Sequence, residues 1–261
     1  MHQRWLRYRL AGPSGPDGPE AFGTLHGDEV HEHHGTLLGD NAPTGRRLAL
    51  SSVQVLMPAQ PSKVIALWNN FGELREKLQL AVPEEPLYLL KSPNSWCAHG
   101  DPIPRPRGGG KVAFEGELGI VIGRRCSAAT ESDAMAHVFG YTCGNDVTAS
   151  EILSRDASFT QWTRAKGLDG FCPLGPVVAT GLDASTLRVR TLLDGQVRQD
   201  YPISDMSFSV AQLVSRISLD MTLLPGDVIL CGTSVGVGSM KPGSLVEVEI
   251  DGIGRLANRN A

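Results

Sequence analysis

K-V-A-F-E-G-E-L-G-I-V-I-G, running from Lys111 to Gly123, decides how the rest of the chain is read. Val112, Phe114 and Gly116 alternate with Ala113, Glu115 and Glu117, and the apolar run Leu118 to Ile122 follows, so the pattern predicts one strand entering the interior. Successive side chains of a strand leave on opposite faces, which puts Glu115 and Glu117 on the same one, with Cα atoms about 6.5–7 Å apart. Two readings follow. The pair is either a polar strand end with both carboxylates in water, or half of a site for a hard divalent cation, which takes carboxylate oxygens and relieves their repulsion.

The composition narrows the function classes. The chain has 261 residues, enough to bury a substantial core as one large domain or one domain with a small appendage. A net charge of −4 gives no electrostatic case for nucleic acid or an anionic membrane surface. No apolar run approaches the roughly 20 residues needed to span a bilayer, and no apolar segment follows the charged start Met1 to Arg7, so a soluble, cytoplasmic protein is expected. The five cysteines (Cys97, Cys126, Cys143, Cys172 and Cys231) are odd in number and contain no C-x-x-C pair, so they read as reduced, buried small residues.

Residues 1–60 are expected to form a small β-rich N-terminal domain and residues 61–261 the main domain. Arg4 to Leu10 alternates like a strand, Gly12 to Gly18 is a Gly/Pro turn region, and Phe22 to Val30 reads as a hairpin arm, with a second arm near Gly39-Asp40. His31-Glu32-His33-His34 matches no zinc spacing and reads as a solvated polar turn. Pro58 and Pro61 mark a linker. Val64 to Trp68 is a buried strand, and Phe71, Leu74 and Leu78 have helical spacing, with Asn70 and Glu73 in a capping-box pattern. Glu73 and Glu76 share a helix face. A strand ends in Lys91. Thr130 and Asp133 cap a helix expected to run through Val138 and Phe139 to Gly140, and a strand from Tyr141 exits at Asp146. Residues 151–170 are rich in charge and read as a solvated loop or a site wall. Hairpins turn at Asp194-Gly195 and Asp251-Gly252, and Ser209 with Gln212 caps a helix.

Two tempting motifs fail on context. Gly232-Thr233-Ser234-Val235-Gly236 matches the G-x-S-x-G elbow of serine hydrolases, but Gly236, Gly238, Pro242 and Gly243 forbid the helix it needs, and the last histidine, His137, precedes it. Gly110-Lys111 resembles the tail of a phosphate loop without the Ser or Thr or the helix that should follow.

Taken in order, Lys91-Ser92-Pro93, Glu115-x-Glu117-Leu118 with Val121-Ile122-Gly123, Gly140-Tyr141-Thr142 with Asn145-Asp146-Val147, Lys166-x-x-Asp169, Pro173 to Pro176, and Leu224 to Ile229 with Gly232-Thr233 resemble the catalytic domain of the fumarylacetoacetate hydrolase family over about residues 63–257. The resemblance implies an α+β, β-rich fold, mixed sheets rolled around a metal site, and a homodimer. It implies one Mg²⁺ or Mn²⁺ between Glu115, Glu117 and Asp146. It further implies Lys166 as a catalytic cation, with Lys91, Gly232 and Thr233 binding the substrate. An ion with open positions can chelate a 2-oxo acid or 1,3-diketone and stabilise its enolate.

This sequence departs from the family where water is activated. The usual N-Y-x-x-H-x-x-E reads Asn69-Asn70-Phe71-Gly72-Glu73-Leu74-Arg75-Glu76, with glutamate in place of histidine and Glu76 kept. Ser150 and Ser234 stand where arginine and proline are usual. Glu73 is therefore either a substitute base or a helix cap, and Glu76 its catalytic neighbour. The resemblance implies hydrolysis of a C–C bond in a small acylpyruvate or fumarylpyruvate in aromatic-compound catabolism. The alternative is decarboxylation or isomerisation of 2-hydroxyhepta-2,4-dienedioate or oxaloacetate at the same site, and a third reading is a catalytically silent binding protein. The partner is a small 2-oxo acid.

Overall fold

Every residue from Gly116 to Ile122 is buried, and successive side chains enter different cores. Leu118, Ile120 and Ile122 join the larger apolar cluster, and Val121 joins a second one with Val64, Ala66, Leu174 and Leu230. A strand covered on both faces reads as an unbroken apolar run, which is how Leu118 to Ile122 reads. The computed structural model describes residues 2–10 and 18–261. The turn expected over Gly12 to Gly18 lies, except for Gly18, outside the described residues.

Gly116–Ile122 is central in a 12-stranded mixed sheet. It pairs antiparallel with Val138–Asn145 on one side and with Val228–Leu230 on the other. Val228–Leu230 runs parallel to Val64–Trp68, which pairs with Leu87–Lys91. Beyond Val138–Asn145 lie Cys172–Thr180 and then Gln3–Leu10, so Ala21–His26, Glu29–Gly35 and Asn41–Ala49 continue the same sheet. A five-stranded sheet built from the hairpins Arg188–Leu193 with Gln196–Pro202 and Leu245–Ile250 with Gly254–Asn260 packs Val189, Val248, Ile250 and Leu256 into the larger cluster. The helix Val210–Asp220 begins at a capping box of Ser209 and Gln212 and buries Leu213, Val214 and Ile217 in that cluster. The architecture is α+β, β-rich and made of mixed sheets. Among the described residues no helix is long and apolar enough to cross a membrane.

Local structure departs from the sequence reading at several points. Lys111 to Gly123 is not one strand. Val112–Phe114 belongs to a three-stranded sheet with Thr148–Ala149 and Gly238–Met240, and Glu115 sits at the break. The physical cause is side-chain capture of the backbone: Asn145 Oδ1 accepts the Glu115 N–H (2.9 Å) and Gln199 Oε1 accepts the Gly116 N–H (3.0 Å). A side chain at Gly116 would strike Thr191, its Cβ only 2.0 Å from Oγ1. His31 to His34 lie within the strand Glu29–Gly35 rather than a turn, with His31 stacked on His26 at 4.2 Å and its Nε2 2.7 Å from Glu29. Phe22 to Val30 contains a turn at Gly27-Asp28 between two strands. Thr130 caps its helix, but α-helix ends at Ala134 and Val138 and Phe139 already belong to the next strand.

Asn70 does not cap the helix after it. The helix is Gly72–Lys77, and its Glu73 N–H is accepted by Asp205 Oδ2 at 3.0 Å. The Asn70 side chain is used elsewhere, donating to the Cys231 carbonyl (2.9 Å) and accepting the Phe208 N–H (3.0 Å).

Candidate functional site

Three carboxylates converge where the central strands leave the sheet. Glu115 occupies the break, Glu117 lies one residue into Gly116–Ile122, and Asp146 follows the last residue of Val138–Asn145. The strand pairing brings them together, because Gly116 is opposite Asn145 and the Asp146 N–H donates to the Glu115 carbonyl at 2.9 Å. Ligand oxygens of Glu115, Glu117 and Asp146 lie within 4.8 Å of one another. Glu117 is fully buried and Asp146 is 1% exposed, so these charges have little water to relieve them.

Two lysines supply part of the compensation. Lys166, on the short helix Trp162–Lys166, donates to Asp146 Oδ2 (2.6 Å) and Glu115 Oε2 (2.9 Å). Lys91, at the end of its strand, donates to Asp146 Oδ1 (2.6 Å) and the Val147 carbonyl (3.3 Å). Thr148 donates its hydroxyl to Glu115 Oε1 at 2.6 Å. Burial alone would push the Asp146 carboxyl up, but the two ammonium groups outweigh it and hold the carboxyl below its ordinary range. Burial would likewise lower Lys166, and Asp146 and Glu115 overturn that, keeping it firmly protonated.

Glu117 is the exception. One oxygen accepts the Gly232 N–H at 2.8 Å, and the other, Oε1, is buried with no hydrogen-bond partner among the described residues. Burial first, then Asp146 and Glu115, push its carboxyl well above the ordinary range. An orphaned carboxylate oxygen facing two further carboxylates, three negative groups against two ammonium groups, is a donor set that a hard divalent cation fits. The residues present therefore suit Mg²⁺ or Mn²⁺ coordination by oxygen, and among the described residues no thiol or imidazole belongs to the cluster.

The other expected site residues have more specific placements. The Gly232 N–H is committed to Glu117. The Thr233 hydroxyl donates to the Gly116 carbonyl (3.0 Å) and accepts from Gln199 Nε2 (2.8 Å), so the glycine loop is bolted to the strand break. Lys91 is fully buried and faces Asp146. Glu73 and Glu76 are exposed on the helix Gly72–Lys77 and lie outside the cluster's hydrogen-bond network. That helix is nonetheless rooted beside the site, because a Cβ on Gly232 would lie 3.4 Å from that of Asn70. Sequence reasoning missed Asn145, Thr148 and Gln199 as parts of the site. Asn145 stood in the motif Asn145-Asp146-Val147 without a role, Thr148 had only its nearness to Asp146 as a signal, and Gln199 had none, being far away in the sequence.

Residues 63–260 match the family model described as fumarylacetoacetate (FAA) hydrolase C-terminal, and residues 3–58 match one described as Rv2993c-like, N-terminal. Protein Rv2993c of Mycobacterium tuberculosis is 38% identical over 263 residues, covering 96% of this chain and 97% of that protein. The oxaloacetate tautomerase YisK of Bacillus subtilis is 34% identical over 226 residues, covering 81% of this chain and 74% of that protein. A crystal structure of 2-hydroxyhepta-2,4-diene-1,7-dioate isomerase from Mycobacterium marinum superposes with a TM-score of 0.87 at 37% identity, covering 99% of this chain and 98% of that one.

Proposed function

The chain belongs to the fumarylacetoacetate hydrolase family, and from that premise we propose that it is a divalent-metal-dependent enzyme that drives enol–keto interconversion of a small 2-oxo dicarboxylic acid of the oxaloacetate or 2-hydroxyhepta-2,4-dienedioate type. The observation that carries this reading is the unpartnered, buried Oε1 of Glu117 among two other carboxylates. Glu115, Glu117 and Asp146 would hold the ion, Mg²⁺ or Mn²⁺. When bound, the ion supplies the positive charge that polarises a 2-oxo group and stabilises negative charge on its oxygen.

This chain's residues do the rest. Lys166 uses two of its three N–H bonds on Asp146 and Glu115, and the third is available to a substrate oxygen. Because its neighbours keep it protonated, it serves as a hydrogen-bond donor and not as a base. Lys91 holds Asp146 ionised from the buried side. Gln199 fixes the loop Gly232 to Ser234 against the strand break by donating to Thr233 and to the Ser234 carbonyl (3.1 Å), so the loop that holds Glu117 through the Gly232 N–H keeps its shape. The identity to an oxaloacetate tautomerase and to a dienedioate isomerase supports this reaction class for the chain.

Hydrolysis of an acylpyruvate is the second reading, favoured by the exposed carboxylate of Glu73, which has no hydrogen-bond partner among the described residues and stands where the family's histidine is usual. In that reading Glu73 takes a proton from the attacking water. A homodimer acting in aromatic-compound catabolism belongs to the proposal through family membership alone.

The test is turnover, followed by NMR, of oxaloacetate enol, 2-hydroxyhepta-2,4-dienedioate, fumarylpyruvate and acetylpyruvate, with Mg²⁺ and with EDTA, for the wild type and Glu73→Gln. Enol–keto conversion that needs metal and ignores Glu73→Gln is expected. Cleavage into two fragments that collapses in Glu73→Gln would establish the second reading, and turnover undiminished by EDTA would overturn both.

A further inference from the structure

A cleft of about 610 Å³ opens between the loop of residues 105–109 and the helices Ser150–Leu153 and Trp162–Lys166. Arg105, Arg107, Arg155 and Arg164 line it, together with Asn94 and Asp169. Asp169 is engaged by Asn94, whose Nδ2 donates to its Oδ1 at 2.7 Å. Every arginine ion pair among the described residues lies elsewhere in the molecule. Glu151 lies beside Gly110 at the rim, and among the described residues it makes no ion pair with any of the four guanidinium groups. Arg105 Nη2 donates to the Gly110 carbonyl at 3.3 Å, and Arg107, Arg155 and Arg164 are exposed. Four arginines against Asp169, with Glu151 at the rim, leave a formal excess of two positive charges around one concave surface.

Such a concentration of like charge attracts anions, and a cleft focuses the field. Guanidinium groups present forked donors that match the oxygens of phosphate and carboxylate. The loop faces open space at Gly108 and Gly109, where an added Cβ would meet nothing within 4 Å. The cleft is not the reaction site. Arg164 precedes Lys166 by two positions on one helix, about 200° around its axis, and Lys166 points to Glu115 and Asp146. None of the three cluster carboxylates lines the cleft.

We propose that this cleft is a second binding site, on the far side of the helix that carries Lys166, for a multiply charged anion bearing phosphate or several carboxylates. The inference is independent of which reaction the carboxylate cluster performs.

Isothermal titration of the full chain with inorganic phosphate and with tricarballylate, each on Mg²⁺-loaded and on EDTA-treated protein, tests it. The expected result is saturable binding of at least one probe that survives metal removal, weakens as salt rises, and weakens about tenfold or more in Arg105→Gln/Arg164→Gln. The pair Arg107→Gln/Arg155→Gln, on the loop and the neighbouring helix, should weaken it as well, with unchanged thermal melting showing that both variants fold. Tighter phosphate binding points to a phosphorylated ligand, and tighter tricarballylate binding to a polycarboxylate. Absence of saturable binding by either probe, binding only when metal is present, or binding indifferent to both arginine pairs would overturn the proposal.

Discussion

Replacing Glu117 by glutamine should have opposite effects on the metal-free and the metal-loaded protein. The substitution keeps the shape and the acceptor for the Gly232 N–H, removes a charge that is fully buried, and gives the orphaned position an N–H₂ donor facing Glu115 and Asp146. Relief of an unsatisfied buried polar group is worth about 1–3 kcal/mol. For a chain of this size that corresponds to roughly 2–4 °C in Tm per kcal/mol. The pH dependence follows from the raised carboxyl of Glu117. The folded protein binds this proton more tightly than the unfolded chain, so wild-type stability without metal falls as pH climbs from the unfolded value of about 4.3 through the higher folded one. The variant lacks that loss, and its advantage should be near zero at about pH 4 and grow as pH rises toward the alkaline side. With Mg²⁺ in excess the order reverses: the wild type gains about 2.7 kcal/mol at a hundredfold excess over Kd, and the variant, short of one ligand, gains little. Thermal melting of both proteins with EDTA and with Mg²⁺, across that pH range, makes the comparison. Metal-free Glu117→Gln melting well below the wild type at the alkaline end, or Mg²⁺ raising both melting points equally, would refute the reasoning.

Two further substitutions probe the scaffold. Asn70→Ala leaves the Cys231 carbonyl and the Phe208 N–H without their buried partner, so urea denaturation should report a loss of about 2–4 kcal/mol, against well under 1 kcal/mol for a surface Asn→Ala. Asp227 is buried and accepts from the backbone of Ser62 (2.8 Å), Lys63 (3.1 Å) and Leu224 (2.7 Å) and from the Lys63 ammonium (2.5 Å). Burial pushes its carboxyl up, but these donors outweigh it and hold the carboxyl below the ordinary range. Its stabilisation is therefore present above the unfolded value and lost as pH falls through the lower folded one, so Asp227→Asn should cost about 2–4 kcal/mol at neutral pH and progressively less below about pH 4.

Much of the fold and part of the site were legible in the sequence, and the difference lies in the range of the interactions. The capping box at Ser209, the Asp-Gly hairpins and the run Leu118 to Ile122 depend on neighbours a few residues away, and the structure contains them. Glu115 and Glu117 stood out because two like charges beside a buried run call for compensation. Asp146 was placed with them through family resemblance, since nothing local ties it to a segment 30 residues earlier. The misreadings share one cause. Asn70 looked like a cap because its side chain appeared free, yet it is consumed by Phe208 and Cys231, more than 130 residues away. The strand break at Glu115 is imposed by Asn145 and Gln199, and no window around Glu115 contains them. His31 to His34 looked like a turn because polar residues dominate, while cross-strand partners hold the segment extended.

The most direct measurement is a titration of Mn²⁺ into EDTA-stripped protein, with free ion read by its electron paramagnetic resonance signal, for the wild type and for Asp146→Asn. One Mn²⁺ is expected to bind per chain, displaced competitively by Mg²⁺, with affinity rising toward alkaline pH as Glu117 gives up its proton and falling at least tenfold in Asp146→Asn. Absence of stoichiometric binding, or equal binding by the variant, would contradict a metal centre built from Glu115, Glu117 and Asp146.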